Sequence, residues 1–515
     1  MHKKIRSIFN IFKKNLLLFS IVLMSILLRL ITIYYGYIGN EDGILLYNSK
    51  LARSGLIPFI NYNGWNSLLT DLLNQIPSFF LSPSILQQRF YGLIIALSVF
   101  VIILKICSNF GNRNLIILTA LLLGLGCPLY IYFSNVPFSE QHATFFTSIS
   151  LFMLTKSFKK RRFMFDIIAC FFSVLAVLVR SQALIVLILV WLYLIIYRNY
   201  AAKFKFIISF AIIIFGVLIY TPYFLLSWEN TLYGIFWPFF ANKLLLYVYD
   251  NDSITLGQLT SFITLTARDY GIYLALIITG IFFNFKKIFL KNEKSGYILL
   301  IIFICLSYFV TGVIHHPADS SYIYPSIPFL SFLAGFFTVK QFTNKKMKQY
   351  FVIFIVLLIF TSYAIFPHHK FIKISLSNML VTPHSVLHKI SSYLEDNSNS
   401  NDLILTMHMP VVAAINRNVP LTMNEGPGSI SIIDSYQSEK WHLTSHEMLK
   451  NIIANKQIKF IILINKSKYY FGKNDFERNE IMNVILENYK LFKIFDEFGQ
   501  MTGPNSETLY IYSIL

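Results

Sequence analysis

The 515-residue sequence is poor in charge. Charged residues make up 13% of it, whereas soluble domains carry roughly 25%. Apolar and aromatic residues instead reach 55%, and the mean hydropathy is +0.58. This balance excludes an ordinary soluble domain and indicates an integral membrane protein.

Cysteine is scarce as well. The four cysteines all lie in apolar runs, as expected of small buried side chains, which excludes a disulfide framework or a cysteine zinc site. The segment from residue 368 onward has no cysteine, and it also lacks a nucleophile elbow, a phosphate loop and metal-ligand spacing. We therefore expect a scaffold or acceptor-recruiting role for that segment.

Acidic residues are rare in the hydrophobic part. The first 367 residues hold 30 Lys and Arg against 11 Asp and Glu, whereas the remainder is neutral with 14 of each. The whole net charge of +19 therefore lies among the apolar segments, where basic residues set topology and contact lipid headgroups. Nucleic acid is not an expected partner, and the lipid bilayer is.

Apolar stretches long enough to cross a bilayer, which takes roughly 20 residues, recur along the chain. We predict eleven spans, near 16–38, 86–108, 115–134, 138–155, 164–181, 183–198, 206–226, 270–286, 296–314, 322–340 and 350–367. The first follows a basic stretch and is long for a signal-peptide core, so we interpret it as a retained span. Long outer loops are predicted at 39–85 and 227–270.

The basic residues between these spans alternate in number. One set of connections holds 23 Lys and Arg and the other holds 6. The positive-inside rule therefore predicts a cytoplasmic N-terminus, and eleven crossings place residue 368 onward outside. Nine of the 11 acids of the first 367 residues fall on the outer side. This excess predicts an outward-facing polar cavity, the alternative being a set of solvated loops.

The sequence thus divides into a helical membrane part, 1–367, and a tail, 368–515. In the tail, strand-like runs near 403–406, 459–464 and 508–512 alternate with helical patterns near 445–456 and 476–489. Such alternation predicts a small α/β domain. The expected fold is an α-helical polytopic membrane protein with a C-terminal extracytoplasmic α/β domain.

Two adjacent carboxylates, Glu41 and Asp42, follow the first span in the run Gly39-Asn-Glu-Asp-Gly43. Ionisable residues at a membrane face are costly and indicate function. The alternative is that they only cap the next helix, because acids near a helix start are favourable. Arg180, flanked by apolar residues, needs an anion, which could be a phosphate or a partner such as Glu140. Such a set fits either solute transport or chemistry on a lipid phosphate.

Several short motifs resemble GT-C glycosyltransferases, in particular protein O-mannosyltransferase-like enzymes and bacterial aminoarabinose transferases. The order along the chain is that of the family and covers roughly 20–340. The matching stretches are Glu41-Asp42-Gly43 with Gly55 and Pro58-Phe59, Arg89 in Gln-Gln-Arg-Phe-Tyr-Gly, Ser139-Glu140, Arg180-Ser-Gln, and Ser321-Tyr322-Ile-Tyr-Pro-Ser-Ile-Pro328.

The sequence departs from the family pattern at three places. The acids stand in the order Glu-Asp, where the family generally has Asp-Glu. Trp65-Asn66-Ser67 replaces a Lys/His-Pro-Pro, and Ser321 replaces the usual arginine before the late tyrosine. These changes bear on the identity of donor and acceptor and on which carboxylate reacts.

The resemblance implies a prokaryotic plasma-membrane enzyme that transfers a sugar from a polyprenyl-phosphate donor to a protein, lipid or glycan acceptor, with inversion. Under it, Glu41 or Asp42 is the base, and the donor is bound or the cavity shaped by Arg89, Glu140, Arg180, Arg268, His315 and Tyr322. We expect no cofactor, although two adjacent acids could bind a divalent ion. The alternatives are a flippase for lipid-linked sugars, and a polymerase or ligase using diphosphate-linked oligosaccharides.

Overall fold

A computed structural model describes residues 2–64, 68–160, 163–198, 200–235, 256–288, 292–314, 320–341, 382–415, 417–465, 467–502 and 507–515. Its first part consists of helices α1 (His2–Tyr35), α2 (Asn40–Arg53), α3 (Leu68–Asn74), α4 (Ile85–Asn109), α5 (Arg113–Leu125), α6 (Pro128–Phe133), α7 (Ser139–Lys160), α8 (Phe163–Val179), α9 (Leu184–Tyr197), α10 (Ala202–Leu226), α11 (Leu256–Ile288), α12 (Glu293–Ile314) and α13 (Ile327–Gln341).

The described part of the chain contains six helices that are long and apolar enough to cross a membrane, namely Asn15–Tyr35, Ile85–Asn109, Ala202–Leu226, Leu259–Asn284, Glu293–Val313 and Tyr322–Lys340. Shorter apolar helices lie beside them. Each of the first ten predicted spans overlaps a helix, and the eleventh, 350–367, lies outside the described residues. A multi-pass membrane protein is confirmed, and the number of eleven crossings stays a prediction.

Helix α11 begins at Leu256, within the stretch 227–270 that was predicted as an outer loop. The apolar residues Leu256, Leu259, Phe262 and Ile263 recur at three- and four-residue spacing, which favours a helix. Polar residues between them interrupt the unbroken apolar run by which a span is recognised. The helix therefore extends about four turns beyond its predicted start.

The tail has the expected α/β character. Helices α14 (Pro383–Asp396), α15 (Met409–Ala413), α16 (Ser435–Lys440), α17 (His446–Ala454), α18 (Asp475–Asn488) and α19 (Phe498–Thr502) surround strands β1 (Ile404–Thr406), β2 (Phe460–Ile464), β3 (Tyr489–Phe495) and β4 (Leu509–Ile514). The sheet order is β1-β2-β4-β3, with β1 parallel to β2 and the other pairs antiparallel. Strand β3 was not predicted, since most of its residues are exposed.

Helix α2 packs between the ends of the spans and the tail. Ten of its 14 residues are buried, and its apolar side chains share one core with β1, β2, β4 and α14. Helix α15 lies so close that a Cβ added to Gly43 would come within 2.1 Å of the Pro410 nitrogen. The Lys50 ammonium, further along α2, donates to the carbonyl oxygens of Ala413 and Ile415 at 2.5 and 3.1 Å. The tail is thus docked on the loop that follows α1.

We expect Gly43→Ala to loosen this docking, because the added methyl group overlaps the backbone of α15. Such overpacking costs about 1–3 kcal/mol. The change should lower the melting temperature of the detergent-solubilised protein and speed proteolysis of the tail. Gly216→Ala in α10 is the matched control, since nothing lies within 4 Å of its added Cβ. Equal behaviour of the two variants would contradict the docking contact.

Candidate active site at the start of helices α2, α4 and α7

A buried ion pair joins the start of α2 to α4. The Arg89 Nε lies 2.9 Å from Asp42 Oδ1, and its Nη2 lies 3.0 Å from Asp42 Oδ2. Both side chains are at most 5% exposed. Helix α4 begins with a capping box, in which Ser84 and Gln87 exchange hydrogen bonds. This cap places Arg89 in the first turns of α4, opposite the start of α2.

The same guanidinium closes the end of α1. Arg89 Nη1 donates to the carbonyl oxygens of Ile33 and Gly36 at 3.2 and 3.1 Å, and Nη2 donates to that of Tyr37 at 2.5 Å. The last carbonyls of a helix lack partners within the helix and need outside donors. Arg89 supplies them, so one side chain fixes the end of α1 and the start of α2.

Asp42 has little capacity left for chemistry. Its Oδ2 also accepts the backbone N–H of Gly39 at 3.0 Å, which caps the first turn of α2. Both oxygens are therefore engaged with Arg89 or the backbone. The cap interpretation of the acids holds for Asp42. Arg89 pairs with Asp42, whereas Glu140 pairs with Arg180.

Glu41 differs from its neighbour. Its side chain is exposed to solvent, and no ion pair to it is found among the described residues. Desolvation by the surrounding protein raises the pKa of its carboxyl, a backbone hydrogen bond lowers it, and the nearby charges of Asp42 and Glu140 raise it further. Glu41 is thus an accessible carboxyl with a raised pKa.

Arg180 and Glu140 form the second ion pair of the site. Arg180 Nη1 lies 2.8 Å from Glu140 Oε1 and 2.8 Å from Ser139 Oγ, and its Nε donates to Gln182 Oε1 at 2.6 Å. The guanidinium carbon lies 5.7 Å from the centre of the Tyr322 ring. Both charged side chains keep about 15% exposure, so this pair borders accessible space, unlike Asp42 and Arg89.

Of the remaining predicted site residues, Arg268 is paired with its neighbour in the chain. Arg268 makes a two-pronged ion pair with its neighbour Asp269, at 2.7 and 3.0 Å, which occupies donors that a phosphate would need. His315 lies outside the described residues. The structure thus brings together Glu41, Asp42, Arg89, Glu140, Arg180 and Tyr322.

The tail contributes residues that the sequence did not point to. Asn40 Oδ1, beside Glu41, accepts the backbone N–H of Met409 at 2.7 Å, and the Tyr47 hydroxyl accepts that of Val419 at 3.0 Å. Tyr470 lies within electrostatic range of Glu41. No sequence signal links these positions, because they lie hundreds of residues apart.

The carboxylates of the site do not form a ligand set for a metal. Asp42 and Glu140 are each held by an arginine, which leaves Glu41 alone. Within the described ranges, no group of three or more His, Cys, Asp and Glu side chains could hold a metal ion.

The fold is similar to that of solved glycosyltransferases. The Archaeoglobus fulgidus oligosaccharyltransferase in the apo form has a TM-score of 0.53 at 11% identity over 97% of this chain and 74% of its own. The same organism's AglB, in complex with an inhibitory peptide and a dolichol-phosphate, has a TM-score of 0.53 at 12% identity over the same shares.

A third structure, ArnT from Cupriavidus metallidurans bound to undecaprenyl phosphate, has a TM-score of 0.50 at 14% identity, over 91% of this chain and 87% of its own. These neighbours belong to the GT-C superfamily. The predicted GT-C-like fold with a small C-terminal sheet is confirmed. No family model matches the chain, and no curated protein matches it in sequence.

We expect Asp42→Asn to destabilise the protein strongly, because it leaves the buried Arg89 without its counter-charge. Breaking a buried pair by removing one partner costs about 3–5 kcal/mol. Glu41→Gln should cost less than about 1 kcal/mol, as is usual for an exposed side chain. Thermal unfolding in detergent measures both. Equal destabilisation would contradict the division between a structural Asp42 and an accessible Glu41.

Proposed function

We propose that this protein is a membrane glycosyltransferase that moves a sugar from a polyprenyl-phosphate donor to an acceptor hydroxyl on the outer face of a prokaryotic plasma membrane. The observation that carries the proposal is an accessible, raised-pKa carboxylate, Glu41, beside the Arg180–Glu140 pair on a GT-C fold. The titles of two neighbours add support, since they name polyprenyl phosphates as bound molecules.

Glu41 is the proposed general base. It accepts the proton of the acceptor hydroxyl while the acceptor oxygen bonds to the anomeric carbon. The bond from that carbon to the phosphate oxygen breaks, and the lipid phosphate leaves with the electron pair. A raised pKa makes Glu41 a stronger base than an ordinary carboxylate. Attack opposite the leaving phosphate gives inversion.

Arg180 is the proposed phosphate ligand. Its guanidinium keeps some exposure beside Glu140, and its planar donors suit the oxygens of a phosphate. Charge that builds on the leaving phosphate is stabilised by such fixed donors. Tyr322 covers one face of the guanidinium and holds its plane.

Asp42 and Arg89 position the base without touching the reacting atoms, because they fix the first turn of α2. These roles use only side chains of this chain. A neighbouring oligosaccharyltransferase structure is a complex with Zn and sulfate, so metal dependence is a matter for experiment.

The proposed topology has a cytoplasmic N-terminus and an external tail. In support, the tail contacts both α2 and the end of α1, beside Asp42 and Arg89. The tail, 368–515, is proposed to act with the first outer loop and not as a separate body, since the two share a core.

Glu41→Gln should reduce sugar transfer by at least about 100-fold, the lower range for loss of a general base. Wild type and the variant are purified and placed in vesicles with lipid extract and cell-envelope acceptor. Mass spectrometry then measures how fast each consumes the polyprenyl-phosphate sugars. The control is Glu229→Gln, which removes an exposed ion pair with Lys440. Near-normal turnover by Glu41→Gln would refute the assignment.

The mass of the consumed donor also separates the alternatives. Loss of a monosaccharide donor supports the proposal. Loss of an oligosaccharide donor would indicate a ligase or polymerase, a reading favoured by the oligosaccharyltransferase neighbours. Movement of labelled lipid between leaflets without donor consumption would indicate a flippase.

Transfer should also depend on pH through Glu41. The base works only when deprotonated, and its raised pKa shifts the rising limb of kcat/KM to a pH above the ordinary value of 4.5. Rates measured between pH 4 and 8 test this expectation. A limb centred at or below 4.5 would contradict a desolvated base.

A further inference from the structure

A second cluster of polar side chains is buried where the first outer loop meets the tail. Asn48 of α2, Asn63, and Asp71 of α3 come from the loop, and Asn424 and Glu425 come from the tail. All five are at most 1% exposed. Asn48 lies two helical turns from Glu41, so the cluster is separate from the proposed active site.

The three amides tie the two parts of the chain together. Asn424 Nδ2 donates to Asn48 Oδ1 at 2.9 Å and to the Asn63 carbonyl oxygen at 2.8 Å. Asn63 Nδ2 faces Glu425 Oε2 at 3.3 Å. The Asn48 amide borders the carboxyls of both Asp71 and Glu425. The two acids are therefore held around one amide.

Several oxygen atoms of this cluster lack a well-formed hydrogen bond, although the Tyr62 hydroxyl and the Asn48 amide border the Asp71 carboxyl. Asp71 Oδ1 and Oδ2, Glu425 Oε1, Asn63 Oδ1 and Asn424 Oδ1 are all buried without a well-formed hydrogen bond. Among the described residues, no Lys or Arg is one of the groups that shift the pKa of either acid. Two buried carboxylates without a cation are very unfavourable.

We propose that this cluster binds a hard divalent cation of the Ca²⁺ type, which fastens the tail to the first outer loop. Five buried oxygens that lack a well-formed hydrogen bond, three from two carboxylates and two from amides, make up most of the six to eight oxygens that Ca²⁺ takes. The absence of nitrogen and sulfur ligands disfavours zinc. The site is independent of the proposed sugar transfer, because no residue of the cluster lies in the active site.

The test uses the full-length protein in detergent, stripped with a chelator and titrated with Ca²⁺. Saturation should raise the melting temperature by roughly 5 °C, as expected for a ligand that binds only the folded state. Elemental analysis of protein purified without chelator should find one divalent ion per chain. Asp71→Asn with Glu425→Gln should abolish both effects. Asp396→Asn, at an exposed acid, should abolish neither.

Glu41→Gln serves as a second control, because it should keep both the bound ion and the thermal shift while losing transfer. Loss of the ion in Glu41→Gln would place the metal in the active site and overturn the proposal. If the double variant does not fold, the wild-type ion content and the single Asp71→Asn variant decide.

The competing outcome is that protons neutralise the acids. Burial raises the pKa of Asp71 to about 7 and that of Glu425 well above its usual range. In the unfolded chain both acids titrate near pH 4. The folded state then binds more protons between pH 4 and pH 7, so stability would fall as the pH rises through that window. This fall, with no bound ion and no response to Ca²⁺, would overturn the proposal.

Discussion

The buried ion pair between Asp42 and Arg89 is the contact on which the arrangement of α1, α2 and α4 depends. A guanidinium at that depth is tolerable only with a counter-charge and with acceptors for its remaining donors. Asp42 supplies the charge, and the end of α1 supplies the carbonyl oxygens. The arginine thereby fixes where one helix stops and the next begins, and the tail docks on the helix so placed.

Adjacent residues on a helix point about 100° apart, and this simple fact separates the two acids. Asp42 faces α4, where Arg89 binds its carboxylate, whereas the Glu41 side chain is exposed to solvent. The two neighbouring carboxylates are thus in different electrostatic environments. One is neutralised by Arg89, and the other retains the high proton affinity that a base requires.

The sequence was informative where structure depends on local pattern. Apolar runs located the helices, and an arginine among apolar residues correctly suggested a partner such as Glu140. The early start of α11 was not predicted, because polar residues break up the apolar run there, although the helix itself continues through them. The docking of α15 on Gly43 and the gathering of Asp71 with Glu425 arise from contacts across hundreds of residues. No local pattern encodes such contacts.

The core shared by α2 and the tail also sets an order of assembly. Asn40 and Met409 are 369 positions apart, and the core is completed only by Leu509 and Ile511 of β4. During synthesis, the spans are made long before the strand that finishes this core. The apolar face of the helix that carries Glu41 therefore stays uncovered until β4 has been synthesised. A protein built this way gains its site late, although the residues of that site come early.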